Sequence, residues 1–158
     1  MEGLLPPIPK VHHMTARDFV RLTCFNTERA EKYNIALKNI ALFLASKSIP
    51  LIYVDGSFME KKDYPNDIDV FIEITLVRFA QIFQNHFSQW QLDMFNKYKC
   101  HAHVAISDFP NIQNTLLEGK IYSSHIEYWL YKFGESKDHY QKGIALLGTA
   151  DILTETPT

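Results

Sequence analysis

The segment that decides the fold reads Leu51-Ile52-Tyr53-Val54-Asp55-Gly56-Ser57, then nine residues, then Asp67-Ile68-Asp69-Val70-Phe71-Ile72-Glu73-Ile74. Residues 51–54 form an apolar run rich in β-branched side chains, which predicts a buried strand. Residues 67–74 alternate between polar and apolar, apart from Phe71, and predict a second strand with one buried face. Gly56-Ser57 breaks the chain after the first strand, so we expect a turn and a polar loop to join the two strands.

Two aspartates stand on the predicted second strand. Asp67 and Asp69 are two residues apart, so their side chains should point to one face with Cα atoms roughly 6.5–7 Å apart. Such a carboxylate pair suits Mg²⁺, which prefers oxygen ligands and often takes only one or two from protein. Two ions there would clamp the attacking and leaving oxygens of a phosphoryl displacement. Gly56 lets the backbone approach a phosphate, and the Ser57 hydroxyl and nearby amides can hold its oxygens.

The rest of the chain predicts helices and strands around this segment. We expect an extended Pro-rich segment over 1–14, a helix over 16–24 capped by Thr15, an amphipathic helix over 28–48 ended by Pro50, a helix from Thr75 to about Ser88, a strand over 100–106 and a helix from Ser123 or Ser124 to Phe133. Residues 142–147 fit either a strand or a helix. The expected architecture is a single α/β (α+β) domain over residues 1–158, a small mixed sheet flanked by helices.

Composition narrows the class of function. The net charge of −2 and the pI of about 6.4 argue against general electrostatic binding of nucleic acid. The two cysteines, Cys24 and Cys100, are too few for a disulfide framework, so we expect free thiols. No apolar run approaches the roughly 20 residues of a membrane span, and the first thirty residues hold no apolar core of a signal peptide. We therefore expect a cytoplasmic protein without a membrane segment.

The spacing of Gly56-Ser57 and Asp67-Ile68-Asp69 resembles the minimal signature of nucleotidyltransferases of the polymerase β superfamily. The likeness is closer to a family of small bacterial proteins of that fold with no assigned function. Its members tend to show three runs, here Leu5-Pro6-Pro7, then Tyr53 to Phe58 with Pro65-Asn66-Asp67-Ile68-Asp69-Val70, then Trp129, Phe133-Gly134 and Lys142-Gly143-Ile144. The likeness spans nearly the whole chain, and the central run is its specific part.

This resemblance implies a nucleotidyltransferase fold and an activity. Active relatives transfer a nucleoside monophosphate from an NTP to an acceptor, here an unknown protein, nucleic acid or small molecule, with Mg²⁺ or Mn²⁺ as cofactor. By position, Asp67 and Asp69 would bind the metal and act in catalysis, and Gly56 and Ser57 would bind the triphosphate. Lys62 or Lys61 would reach a phosphate, but the family gives neither residue a firm role, and a solvated pair of loop lysines fits the sequence equally well.

One departure from the superfamily pattern concerns the third carboxylate that active members usually carry on a neighbouring strand. The predicted strand 100–106 has no acidic residue, Asp108 follows its end, and Glu73 lies far along the strand of the aspartate pair. His103 or His101 would then be the base, because neutral imidazole suits that role, although a histidine on a strand is more often simply a packed or half-exposed residue. The missing acid keeps open a non-catalytic binding module of the same fold, an antitoxin-like or phage-defence partner protein, and a structural protein that binds no metal.

Two weaker patterns have alternative interpretations. The run Cys100-His101-Ala102-His103 contains zinc-ligand residue types, but this spacing alone is poor evidence for a zinc site. Trp129 and its aromatic neighbours would stack on a nucleobase or, more commonly for a helix of this composition, belong to the core.

Overall fold

The computed structural model describes residues 3–108, 115–117, 120–122, 125–133 and 141–157. Its elements along the chain are β1 (Val11–His13), α1 (Ala16–Thr23), α2 (Thr27–Lys32), a π-helical turn (Tyr33–Leu37), α3 (Lys38–Ser46), β2 (Leu51–Asp55), a 3-10 turn (Gly56–Met59), β3 (Ile68–Ile74), α4 (Leu76–Phe83), α5 (Phe87–Tyr98), β4 (Cys100–Ile106), β5 (Thr115–Leu117), β6 (Lys120–Tyr122), α6 (His125–Phe133), β7 (Ile144–Gly148) and α7 (Thr149–Thr154).

Five of these strands form one mixed sheet in the order β1-β7-β2-β3-β4, and β5 pairs with β6 in a separate two-stranded sheet. β2 lies antiparallel to both β3 and β7, whereas β3 pairs with β4 and β1 with β7 in parallel. The structure therefore confirms the mixed α/β class and the mixed sheet flanked by helices. Among the described residues, none of the helices combines the length and apolar character needed to cross a membrane.

The main core lies on one face of the sheet. The alternate residues of β2 and β3 on this face are buried, among them Ile52, Val54, Val70 and Ile72. They pack with the buried side of the α2–α3 helix, such as Leu44, in one continuous hydrophobic cluster. Full burial of each such aliphatic side chain contributes about 1.5–3 kcal/mol. The alternation of β3 thus leaves its other face, with the aspartates, outside this core.

The helix starts follow local capping chemistry. The Thr15 hydroxyl accepts a hydrogen bond from the Asp18 amide at 3.1 Å, as predicted. Asn26 caps α2, which continues through the π-helical turn into α3 and ends at Ser46 rather than Ser48. Ser48 takes a positive φ of 57° between this helix and Pro50.

The predicted helix from Thr75 to Ser88 is wrong in its second half. Thr75 caps α4 as expected, but α4 ends at Phe83 and Gln84 takes a positive φ of 51°. α5 then begins at Phe87, and the Phe83 and Phe87 rings meet edge to face with centroids 5.0 Å apart. The chain therefore turns at Gln84 because aromatic packing brings the two helices together, which helical periodicity alone does not reveal.

The ends of the chain add strands to the sheet. Residues 142–147, which fitted strand or helix, contain the start of β7, followed by α7. The extended segment 1–14 contains β1, which pairs His12 with Ala145 of β7. The predicted cap at Ser123 or Ser124 lies outside the described residues.

Candidate functional site

A row of polar side chains crosses the sheet on the face opposite the main core. Asp69 of β3 pairs in register with Asp55 of β2 and with His101 of β4. Cross-strand partners point to the same face, so these three residues form one line, here called the acidic row. Asp67 lies one step before the row, and its Oδ2 is 3.2 Å from His101 Nε2. The Asp67 side chain is 30% exposed, so this end of the row is open to solvent.

The Gly56-Ser57 bend lies directly against this row. Gly56 has a positive φ of 80°, which side-chain-bearing residues rarely adopt. A Cβ at this position would lie 2.0 Å from Asp69 Oδ2, so the backbone there touches the carboxylate. The structure thus brings together the four residues Gly56, Ser57, Asp67 and Asp69 that the sequence singled out.

We expect Gly56→Ala to lose about 1–2 kcal/mol of folding free energy, because alanine is strained at a left-handed φ. The added methyl should also push away the Asp69 carboxylate and weaken Mn²⁺ binding. Urea unfolding and Mn²⁺ titration measure the two effects. Gly148→Ala is the matched control, since its φ is −76° and a Cβ there meets nothing closer than 3.7 Å. Equal behaviour of the two variants would contradict the assigned contact.

Asp55 and Lys142 form a buried ion pair beside the bend. Their side chains are 2% and 3% exposed, and Lys142 Nζ lies 3.4 Å from Asp55 Oδ1. The same ammonium donates to Glu60 Oε1 and to the Gly56 carbonyl, each at 3.0 Å. Burial, with a small contribution from Asp69, raises the pKa of Asp55 from 3.8 to about 7 despite the attraction of Lys142 and the Gly56 amide.

We therefore expect the Asp55 carboxyl to titrate near neutral pH in the metal-free protein. Carbon-13 NMR of labelled aspartate side chains should show a resonance with a midpoint near 7 that Asp55→Asn removes. The group is then protonated below this midpoint and ionised above it. A midpoint for Asp55 near the ordinary value of an aspartate would show that Lys142 outweighs burial.

The two histidines of β4 differ in their surroundings. His101 lies in the acidic row and stacks on Phe95 with ring centroids 4.4 Å apart. His103 pairs in register with Phe71, one step further from the bend, and packs on Trp129 at 5.0 Å. Burial, aided by His101 and Lys132, lowers the pKa of His103 to about 4, so its imidazole is neutral at pH 7. His101 is thus the histidine that directly contacts a predicted metal ligand.

The remaining sequence candidates lie elsewhere. Lys62 is held through its backbone, because its carbonyl accepts a hydrogen bond from Arg29 Nε at 2.8 Å. Asp108 accepts from the Leu76 amide at 2.8 Å, at the opposite end of β3 from Asp67. Glu73 pairs in register with Ala105, two residues beyond Phe71, and makes a hydrogen bond with the Tyr53 side chain. Neither acid joins the aspartate pair.

The zinc interpretation does not fit the alternation of β4. Cys100 is fully buried in the main core, whereas His101 and His103 point to the other face. Cys24 and Cys100 are free thiols, as predicted. Among the residues that the structure describes, no group of three or more His, Cys, Asp or Glu side chains is arranged to hold a metal ion. Any divalent cation there would depend on the aspartate pair, water and ligand oxygens.

Trp129 covers the sheet next to the acidic row. Its ring lies 6.3 Å from Phe71, and the two belong to a small apolar cluster with Ala105 and Ile144. Tyr53 stacks on the other side of Phe71 with centroids 4.3 Å apart and planes within 2°. Trp129 of α6 therefore packs on the site face of the sheet, in agreement with the core interpretation.

Three short runs that are far apart in the sequence meet at the bend. The Leu4 amide donates to Met59, and the Gly143 amide donates to Leu5, at 2.8 and 3.2 Å. Gly143 is required there, because a Cβ would lie 2.4 Å from the Pro6 carbonyl oxygen. Sequence reasoning did not assign roles to Asp55 and Lys142, although both stand in the runs that carried the family resemblance.

The fold and site define a mixed α/β protein with a strand-borne acidic site beside a glycine-serine bend. Residues 1–147 match a family described as a family of unknown function (DUF6932), and the chain belongs to that family. The sequence matches no curated protein, and the chain matches no solved structure.

Proposed function

We propose that this protein has a nucleotidyltransferase fold and transfers a nucleoside monophosphate from an NTP to an acceptor, with Mg²⁺ or Mn²⁺ as cofactor. The observation that carries the proposal is the direct contact of the Gly56 backbone with the Asp69 carboxylate. The bend would bind the polyphosphate, and Asp69 would bind the metal. The two can act on the same substrate only if they lie this close together. The acceptor would be a protein, a nucleic acid or a small molecule.

The residues present fit a hard divalent cation. Asp67 and Asp69 supply carboxylate oxygens on one face, and Asp67 is partly exposed. Two protein carboxylates suffice for Mg²⁺, which completes its octahedron with water and phosphate oxygens. The bound ion would supply charge neutralisation on the polyphosphate and polarisation of the reacting phosphoryl group.

The chain's own groups would act around this centre. The Ser57 hydroxyl and the backbone of the bend hold the triphosphate, and Lys62 lies in the same loop. His103, which is neutral at pH 7, would take the proton of an acceptor hydroxyl, or His101 would do so beside Asp67. Asp55 also faces Asp69 across the strands, but its ion pair with buried Lys142 gives it a different partner.

Labelled NTPs test the proposal directly. The purified protein is incubated with each common NTP carrying an α-phosphate label, Mg²⁺ and a lysate of its host as the source of acceptor. We expect label on one acceptor class, lost when EDTA removes the metal. Absence of label transfer with every NTP would contradict the enzyme proposal.

A non-catalytic binding module is the second candidate. The observation that favours it is His101 of β4, which pairs in register with Asp69 at the position where a third carboxylate would face the aspartate pair. Such a module would bind an NTP without turnover and pair with a toxin-like or defence protein. Copurification from the native host and calorimetry with NTPs distinguish the two, because turnover by the protein alone would exclude the module.

A further inference from the structure

The proposed reaction gives Lys142 no role. Among the charged groups whose contacts are described above, its ammonium is the cation that lies nearest to the bend. It is 3% exposed and lies between Glu60 Oε1, the Gly56 carbonyl and Asp55 Oδ1. Burial of a lysine is costly unless its charge and hydrogen bonds are satisfied, and here two hydrogen bonds and the ion pair with Asp55 meet that need. These oxygens belong to the residues immediately around the bend, more than eighty positions earlier in the chain.

The hydrogen bond to the Gly56 carbonyl fixes one particular peptide group. A trans peptide is planar, so its C=O and N–H point in opposite directions. With the Gly56 oxygen held by Lys142, the Ser57 amide hydrogen points away from the buried ammonium. The same bond holds Gly56 in the position where its Cα touches the Asp69 carboxylate.

We infer that Lys142 is a positioning residue of the proposed reaction: it fixes the Gly56–Ser57 peptide so that the bend receives a triphosphate beside Asp69. This inference rests on the proposed function. Lys142 does not itself touch the phosphate, because its ammonium is buried behind the bend with three oxygens around it. The residue therefore affects polyphosphate binding and leaves the metal ligands in place.

The test separates the two ligands. Inorganic tripolyphosphate with Mg²⁺ probes the bend by calorimetry, independent of nucleobase, and Mn²⁺ alone probes Asp67 and Asp69 by electron paramagnetic resonance. Lys142→Met/Glu60→Gln removes the ammonium together with the carboxylate to which it donates, and Asp55, which burial already drives toward its protonated form, is expected to be neutral in this variant. We expect unchanged Mn²⁺ affinity and tripolyphosphate binding weakened about tenfold or more, as for loss of a hydrogen bond involving a charged group.

Glu60→Gln alone is the matched control, because Lys142 keeps its bond to the Gly56 carbonyl, and it should bind tripolyphosphate like the wild type. If the double variant fails to fold, Gly3→Ala replaces it, since a Cβ there would lie 2.7 Å from Lys142 Cβ and displace that side chain. The same separation of the two affinities is then expected, with Gly148→Ala as its control.

Four results would overturn the inference. Unchanged tripolyphosphate affinity in the variant shows that Lys142 does not position the bend. An equal loss of affinity for tripolyphosphate and for Mn²⁺ shows a purely structural role. If Lys142 is acetylated in the free protein and tripolyphosphate prevents this acetylation, Lys142 contacts the phosphate directly. A wild-type protein that binds neither probe refutes the proposed function itself, which the three other results leave standing.

Discussion

Replacement of both Asp67 and Asp69 with asparagine is expected to lower Mg²⁺-dependent label transfer by at least about 10²-fold, as for removal of one preorganised electrostatic group. Asparagine keeps the shape of each side chain but removes the charges that hold a hard cation. The fold should persist, because neither residue belongs to the buried core and Asp67 is partly exposed. Initial rates of label transfer, with circular dichroism and thermal unfolding, measure the two expectations.

Glu73→Gln is the matched control for these aspartate variants. It neutralises an exposed carboxylate on the same strand and the same face, beyond Phe71 and away from the bend. It should retain most of the activity. Label transfer that survives in the Asp67→Asn/Asp69→Asn protein would remove the aspartate pair from the reaction and favour the binding-module hypothesis.

The placement of the aspartate pair followed from the sequence, whereas the rest of the acidic row did not. The period of two along a strand is a local property, so Asp67 and Asp69 share a face whatever their neighbours are. That Asp55 lies opposite Asp69 depends on the register of β2 against β3, which the intervening loop sets. Register of this kind cannot be deduced from either strand alone.

Lys142 illustrates a second limit of local patterns. A lysine in a polar stretch is expected at the surface, since lysine is almost never fully buried unless paired. Its partners Asp55 and Glu60 stand far earlier in the chain, and only the pairing of β7 with β2 brings the segments together. The sequence likewise predicted α4 and missed the turn at Gln84, because side-chain packing between helices decides it.

Arg29 connects the site loop to the helical layer. Its guanidinium lies between the Phe25 and Phe58 rings, 4.4 and 5.0 Å from their centroids. Two other side chains of this segment also bind the loop: Asn26 donates to the Asp63 carbonyl, and Lys32 donates to the Asn66 carbonyl. The α2 helix thus holds the loop that joins the Gly-Ser bend to the aspartate pair.

Replacement of Arg29 with methionine is therefore expected to cost about 3–5 kcal/mol of folding free energy, because several backbone carbonyls lose their buried donor together. The side chain is fully buried and donates to the backbone carbonyls of Thr23, Phe58, Glu60 and Lys62 at 2.5–3.2 Å. Methionine fills much of the volume but leaves these acceptors unsatisfied, at about 1–3 kcal/mol for each one that stays dry.

Urea unfolding of Arg29→Met beside Arg21→Met, an exposed arginine of α1, measures this cost with a matched loss of charge. Arg29→Lys should recover only part of the stability, because an ammonium lacks the planar fork that reaches several carbonyls at once. Because the lost bonds end on residues 58–62, label transfer by the folded Arg29→Lys protein should fall more than its stability alone explains. Equal unfolding free energies for Arg29→Met and Arg21→Met would show that the loop keeps its conformation without this guanidinium. Contacts with the strands of the sheet, and not with α2, would then hold the site in place.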